Sequence, residues 1–233
     1  MNNSSTTLIV GTVSKPLEVK EVNIDGATKK VGNMSVCAVK PGKDTSKSTY
    51  YEISAWGAQQ QEALSKLKKG DAVLVQGQLE AQSFEKDGNY GISLRLNNAD
   101  VTPLGASEAQ GIQKIVAVGR ATRDIELGQT QSGKAHATIP MALNHQNGKT
   151  SYVDVETWGE YAEQMAKSVK KGSLLSVSGE IELNSYTKDG GKRGASLKIV
   201  NPNVGFLDKA ATSNAGNSGK SAASSASGQG SGR

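Results

Sequence analysis

Between Thr7 and Val101 the apolar residues recur with a period of two, in short runs broken by glycine and by Asp-Gly pairs. Thr7–Gly11 opens as a β-branched strand, and Val19, Val22 and Ile24 continue it toward a turn at Asp25-Gly26. Asp-Gly between apolar runs predicts a hairpin, and the returning strand, about residues 29–40, alternates through Val31, Met34, Val36 and Ala38. A polar loop over residues 41–48 leads into a strand at Thr49–Trp56. From Gln59 to Lys69 the period changes: Ala63, Leu64 and Leu67 share a helical face, and Gly70 is placed to end the helix. Period two returns over Ala72–Phe84, with Gly77 as an expected bulge, then a turn at Lys86–Asn89 and a strand at Tyr90–Val101. The fold class expected is all-β with one short helix per domain. Three strands, a helix and two strands, with glycines where a small barrel must bend, fit a five-stranded Greek-key barrel of the OB type.

The same text is written twice. Tyr50–Gly57, Leu67–Gly70, Val75–Glu80 and Phe84–Gly88 recur 102 residues later as Tyr152–Gly159, Val169–Gly172, Val177–Glu182 and Tyr186–Gly190. A repeat of this length means two domains of one kind, each able to bury its own core. The organisation expected is therefore tandem OB-folds, at residues 1–104 and 111–208, joined by a linker at 105–110 and followed by a tail at 209–233. The second copy should run through a turn at Ser132-Gly133, strands at Ala135–Asn144 and Ser151–Trp158, and a helix at Glu160–Lys171 facing inward with Ala162, Met165, Ala166 and Val169. Strands at Ser173–Thr187 and Ala195–Phe206 complete it.

Charge adds little at first. The net is +5, but residues 7–104 carry 12 basic against 11 acidic side chains and residues 111–208 carry 12 against 10. Each domain is nearly neutral, so a cationic groove must be made by placement. Cys37 is the single cysteine, which excludes an internal disulfide and a cysteine zinc site; between Val36 and Ala38 it reads as a buried strand thiol. Two histidines, His136 and His145, make neither a metal site nor a catalytic pair. No cofactor, metal or enzymatic constellation is expected. No apolar run reaches the roughly 20 residues needed to span a membrane, and Met1–Thr7 has no secretory character. The expected location is cytoplasmic and nucleoid-associated, with no membrane partner.

The chain holds ten aromatics, and six stand at equivalent places: Tyr50, Trp56 and Phe84, then Tyr152, Trp158 and Tyr186. Tyr50 and Trp56 are six apart on one strand, as are Tyr152 and Trp158, so each pair should project from one face. Ile53, Ala55, Val153 and Val155 take the opposite face, together with Tyr51. Outward aromatics are platforms for bases, and stacking tolerates any sequence because every base has a π-face. Cations able to meet phosphates are Lys43, Lys47, Lys69, Lys86 and Arg95 in the first copy. In the second they are Arg120, Arg123, Lys149, Lys171, Lys188, Lys192 and Arg193.

Residues 112–208 resemble the bacterial single-stranded DNA-binding proteins. The resemblance rests on Gly119–Asp124, Pro140–Leu143, Val153–Glu163, Lys170–Ser173 and Val177–Ile181. The first copy is a weaker version, with Gly11–Lys15 in place of the Arg120-x-x-Arg123 segment. A tandem pair is similar to the two-OB-fold members of that family. The resemblance implies base stacking at the six aromatics, phosphate contact by the Arg120 and Arg123 pair, and a four-barrel active unit, hence a homodimer. It implies nonspecific coating of single-stranded DNA in replication, recombination and repair. The chain departs from the family at Ala58, Glu160, Gln82-Ser83 and Asn184-Ser185, where cations are usual, so fewer phosphate contacts are expected. From Ala210 to Arg233, 18 of 24 residues are Gly, Ser or Ala, a composition that predicts disorder. That segment has no acidic residue and no terminal phenylalanine, so recruitment of other proteins through the family's acidic tip is not expected. The rival readings are an OB-fold assembly protein of primosome type and an RNA-binding module.

Overall fold

The computed structural model describes residues 5–39, 48–104, 111–187 and 191–207. The expected phosphate contacts Lys43, Lys47 and Lys188, the 105–110 linker and the tail fall outside these residues.

The first copy contains β1 (Ser5–Ile24), β2 (Ala27–Ala38), β3 (Thr49–Trp56), α1 (Ala58–Ser65), β4 (Ala72–Lys86) and β5 (Asn89–Pro103). The second contains β6 (Gln113–Ala121), β7 (Leu127–Gln129), β8 (Ala135–Asn144), β9 (Thr150–Trp158), α2 (Glu160–Ser168), β10 (Leu174–Thr187) and β11 (Arg193–Phe206). In the first copy the strands pair in the order β2-β3-β5-β4-β1, and β1 pairs again with β2, which closes the ring. In the second, β6-β10-β11-β9-β8 closes through β6 on β8, with the short β7 on the edge of β8. The parallel contacts β3–β5 and β9–β11 are the Greek-key step in each. Closure needs close backbone approach at one corner. A Cβ on Gly11 would collide with the Cys37 carbonyl, and one on Gly119 would lie 2.6 Å from the Ala142 carbonyl oxygen. Only glycine lets the first strand cross there.

The interior is the alternate register the pattern predicts. Ile53, Ala55, Val73, Val75, Val155 and Ile139 are fully enclosed, with Leu79 and Val153 barely exposed. Gly77 is a bulge, because the β4–β5 register shifts between Gln76 and Gln78.

Both helices are shorter than their periodicity suggests. The expected helix at 59–69 ends at Ser65, with Ala63 outside and only Leu64 and Leu67 buried. The Lys68 N–H is taken by the Asp71 carboxylate at 2.7 Å instead of by a helical carbonyl, so the chain turns before Gly70. Ser173 does the same in the second copy, accepting from the Lys170 N–H at 3.1 Å; α2 ends at Ser168 with Ala162, Met165 and Val169 buried. Cys37 is half-buried, not buried, because it lies opposite Tyr50 on the outer face of β2.

The two copies share one continuous sheet. β1 pairs antiparallel with β6, from Ser5 opposite Ala117 to Ile9 opposite Gln113. The enclosed Tyr51 hydroxyl donates to Gln113 Oε1 at 2.7 Å across this join. A second junction is polar and centred on Glu80, whose side chain is 3% exposed. Its carboxylate accepts from Lys149 Nζ at 2.8 Å, Asn147 at 2.9 Å, Asn97 at 2.9 Å and Gln82 at 2.6 Å. Beside it the Ala81 N–H donates to Ser151 Oγ at 2.8 Å, and Ser151 meets His145 Nε2 at 2.6 Å. Burial pushes the Glu80 carboxyl up, but the hydrogen bonds and charge of its partners outweigh that and hold it below the ordinary range.

Candidate nucleic-acid interface

All six repeated aromatics point out of their barrels, between 41% exposed at Trp158 and 68% at Tyr152. Their placement follows from register. Tyr50 and Trp56 occupy the outer face of β3 while Tyr51, Ile53 and Ala55 fill the inside, and β9 repeats this with Tyr152 and Trp158. Phe84 and Tyr186 come from the ends of β4 and β10, where each lies directly opposite a glycine on the neighbouring strand: Gly91 and Gly194. A methyl group on either glycine would run into the facing ring. Each ring therefore lies across bare backbone and remains about half exposed.

Each tryptophan has neighbours that only the strand register reveals. His136 is opposite Trp158 on β8, with ring centroids 4.1 Å apart and planes at 39°, and Lys134 Nζ is 5.6 Å from the indole centroid. The ammonium over the ring makes a cation–π contact and so holds a positive charge at the indole. Trp56 lies opposite Val31, so Lys29 holds the place of Lys134. A shallow hollow there is bounded by Lys29, Lys30, Trp56 and Gln61. Lys29, Lys30, Lys134 and His136 were not among the residues expected from sequence; the signal for them is cross-strand pairing.

The expected cations divide into three groups. Lys86, Lys192 and Arg193 are exposed on the hairpins that carry Phe84 and Tyr186. Arg120 lies in line with Ala142 and Tyr152 across β6, β8 and β9, and its guanidinium donates to the Gly172 carbonyl at 2.6 Å. The matching line in the first copy is Thr12, Cys37 and Tyr50, so that barrel lacks this cation. Arg123 acts on Asp154, whose carboxyl is pushed up by burial and pulled down by Arg123 and Lys198, with Glu156 adding to the rise. Arg95 is exposed but flanked in register by Glu52 and Glu80, and its counterpart Lys198 is paired with Glu156. Lys69 and Lys171 are exposed at the turns after the helices, and the Lys171 N–H donates to Asp124 at 2.8 Å. Lys149 departs from its expected place: its ammonium is bound to Glu80 at the junction between the copies. A carboxylate this deeply buried is costly without a partner, which keeps the nearby ammonium on it.

The outer surface can thus offer flat rings at intervals, with cations interleaved and partly offset by carboxylates. Among the described residues no group of three or more His, Cys, Asp or Glu could hold a metal ion, and no helix is long and apolar enough to cross a membrane.

Residues 4–104 and again 112–207 match the single-strand binding protein family. A single-stranded DNA-binding protein of Streptococcus mutans is 36% identical over 107 residues, covering 43% of this chain and 65% of that protein. One from Streptococcus pneumoniae is 39% identical over 103 residues, covering 42% and 66%. One from Thermus aquaticus is 26% identical over 170 residues, covering 65% and 64%. The chain thus spans slightly under two thirds of the length of these relatives. The crystal structure of the wild-type Thermus aquaticus protein superposes with a TM-score of 0.62 at 19% identity, covering 92% of this chain and 98% of that one, which establishes a shared tandem OB architecture. With the family's unit matched twice over most of its length, the chain belongs to the single-strand binding protein family.

Proposed function

We propose that this protein binds single-stranded DNA without regard to sequence, and so coats and protects it during replication, recombination and repair. Bases stack on Tyr50, Trp56, Phe84, Tyr152, Trp158 and Tyr186, and phosphates meet Lys69, Lys86, Arg120, Arg123, Lys171, Lys192 and Arg193. The observation that carries the reading is the exposure of all six matched rings, in a chain that has enough aliphatic residues to fill both interiors. Lys29, Lys30 and Lys134 join the cations because of their place beside the tryptophans. Residues 1–104 and 111–208 serve as the two binding units, with 105–110 linking them, and the protein acts by binding alone, in the cytoplasm.

The working form is a homodimer with four barrels. The outer face at the β1–β6 join supports this, because Val116 is 57% exposed there, with Leu8, Val118, Leu74 and Leu174 half-buried on the same face. Closed symmetric assembly is the usual way to cover such a surface.

Competition for a labelled oligo(dT) tests the function. Unlabelled oligo(dT) should displace it far better than duplex DNA or oligo(U). Equal competition by oligo(U) would favour an RNA-binding module, and failure to bind any of the three would favour an assembly protein.

A further inference from the structure

The β4–β5 and β10–β11 hairpins meet, although nothing in the repeat requires it. The Arg193 N–H donates to Asn89 Oδ1 at 3.0 Å, and the Lys192 side chain lies against the Gly88 backbone. Between them is a cleft of about 720 Å³. Phe84, Tyr90 and Tyr186 wall it, Ile92 and Leu183 contribute its apolar base, and Lys86 and Arg193 stand at its rim; among the described lining residues Asp87 is the one acid, and the Tyr90 hydroxyl donates to the nearby Glu85. The three rings remain 50%, 44% and 47% exposed, so the contact between hairpins leaves their faces open.

Each barrel has a row of three outward aromatics, and this cleft brings together the last ring of one row and the last ring of the other. Tyr90 is an addition peculiar to the first copy, since Arg193 stands at its place in the second hairpin, opposite Thr187 as Tyr90 is opposite Glu85. We infer that the cleft is a composite nucleotide subsite through which a single strand passes from one barrel to the other, with Tyr90 as a further base-contacting residue. An apolar, ring-walled slot suits an unstacked nucleobase, and rim cations suit the phosphates on either side of it. The two barrels then form one continuous track, not two sites that happen to share a chain. This rests on the single-strand binding proposed above.

The test uses the full chain and oligo(dT) carrying one 5-iodouracil, moved position by position, followed by irradiation and peptide mapping. At one position, or two neighbouring ones, adducts should appear on both segments 84–92 and 183–195. An oligonucleotide that binds well but crosslinks only around Trp56 or Trp158 would overturn the subsite and leave the proposed function intact. Failure to bind the oligonucleotide would overturn the proposed function and the subsite with it. In parallel, Tyr90→Ala should weaken binding of an oligonucleotide long enough to cross both barrels by roughly 5- to 150-fold, the range for losing one stacked base. Tyr90→Phe should keep the affinity. Unchanged binding by Tyr90→Ala, with an unchanged melting curve, would equally overturn the inference.

Discussion

Removing the Glu80 carboxylate should loosen the join between the two barrels. In Glu80→Ala, four donors lose their acceptor. Lys149, Asn147 and Gln82 are exposed and can hydrate, while Asn97 is half-buried and loses its acceptor. A full buried-pair penalty is about 3–5 kcal/mol. With three of the four partners exposed, the lower end applies, about 3 kcal/mol. For a chain of this size each kcal/mol moves the melting temperature by about 2–4 °C, so a drop of about 6–12 °C is expected. Glu80→Gln should cost a similar amount, because it removes the charge and sets an amide N–H against the donors on one side. The pH dependence isolates the charge. The Glu80 carboxyl lies below its ordinary value in the folded protein. Its contribution is therefore complete above the unfolded pKa of about 4.3 and is lost as pH falls through the folded value. The gap between wild type and Glu80→Gln should be full at neutral pH and close only in strong acid. His145, held low by burial against the upward pull of Glu80, adds an acid loss that begins nearer pH 6.5 and is larger in Glu80→Gln, which lacks that pull. Scanning calorimetry from pH 7 to pH 3 would read this. If both variants melted within 2 °C of wild type at pH 7, Glu80 would not be a junction, and the reasoning would fail.

Three further outcomes follow from the site. Gly194→Val should push the Tyr186 ring off the backbone and weaken oligo(dT) binding by about 1–3 kcal/mol, the worth of one stacked base, while the fold persists; unchanged affinity in a titration would mean that the ring's seat is immaterial. The salt dependence should be moderate, each phosphate adding about −0.7 to the slope of log K against log salt. With Lys149 and Lys198 paired internally, a slope beyond about −7 would contradict the charge assignments. Sedimentation equilibrium at micromolar concentration should give twice the chain mass of 24.3 kDa, and a monomer mass would reject the four-barrel unit.

Local pattern carried much of this structure. The alternation through Ile53 and Ala55 separated the inside from the outside of the third strand, and Asp25-Gly26 and Asp87-Gly88 located two hairpins by turn chemistry alone. The helix ends did not emerge, because Asp71 and Ser173 capture N–H groups that periodicity assigns to the helix. β7 is three residues long and entirely exposed, so it leaves no hydrophobic trace. Lys134 and His136 join Trp158 only through the β8–β9 register, about twenty residues away in sequence. Glu80 and Lys149 were the hardest to read. A charged residue beside Leu79 looks like any solvated strand position, and only the second copy's loop, 67 to 69 residues further on, buries it.

The claim that the outward rings stack on bases is tested most directly by tryptophan emission during titration with oligo(dT). Trp56 and Trp158 are the only indoles in the chain. With either one replaced by phenylalanine, the other should still be quenched, saturably and in step with binding followed by anisotropy. Binding with both indoles unchanged in emission would place the strand elsewhere on the protein and contradict the account.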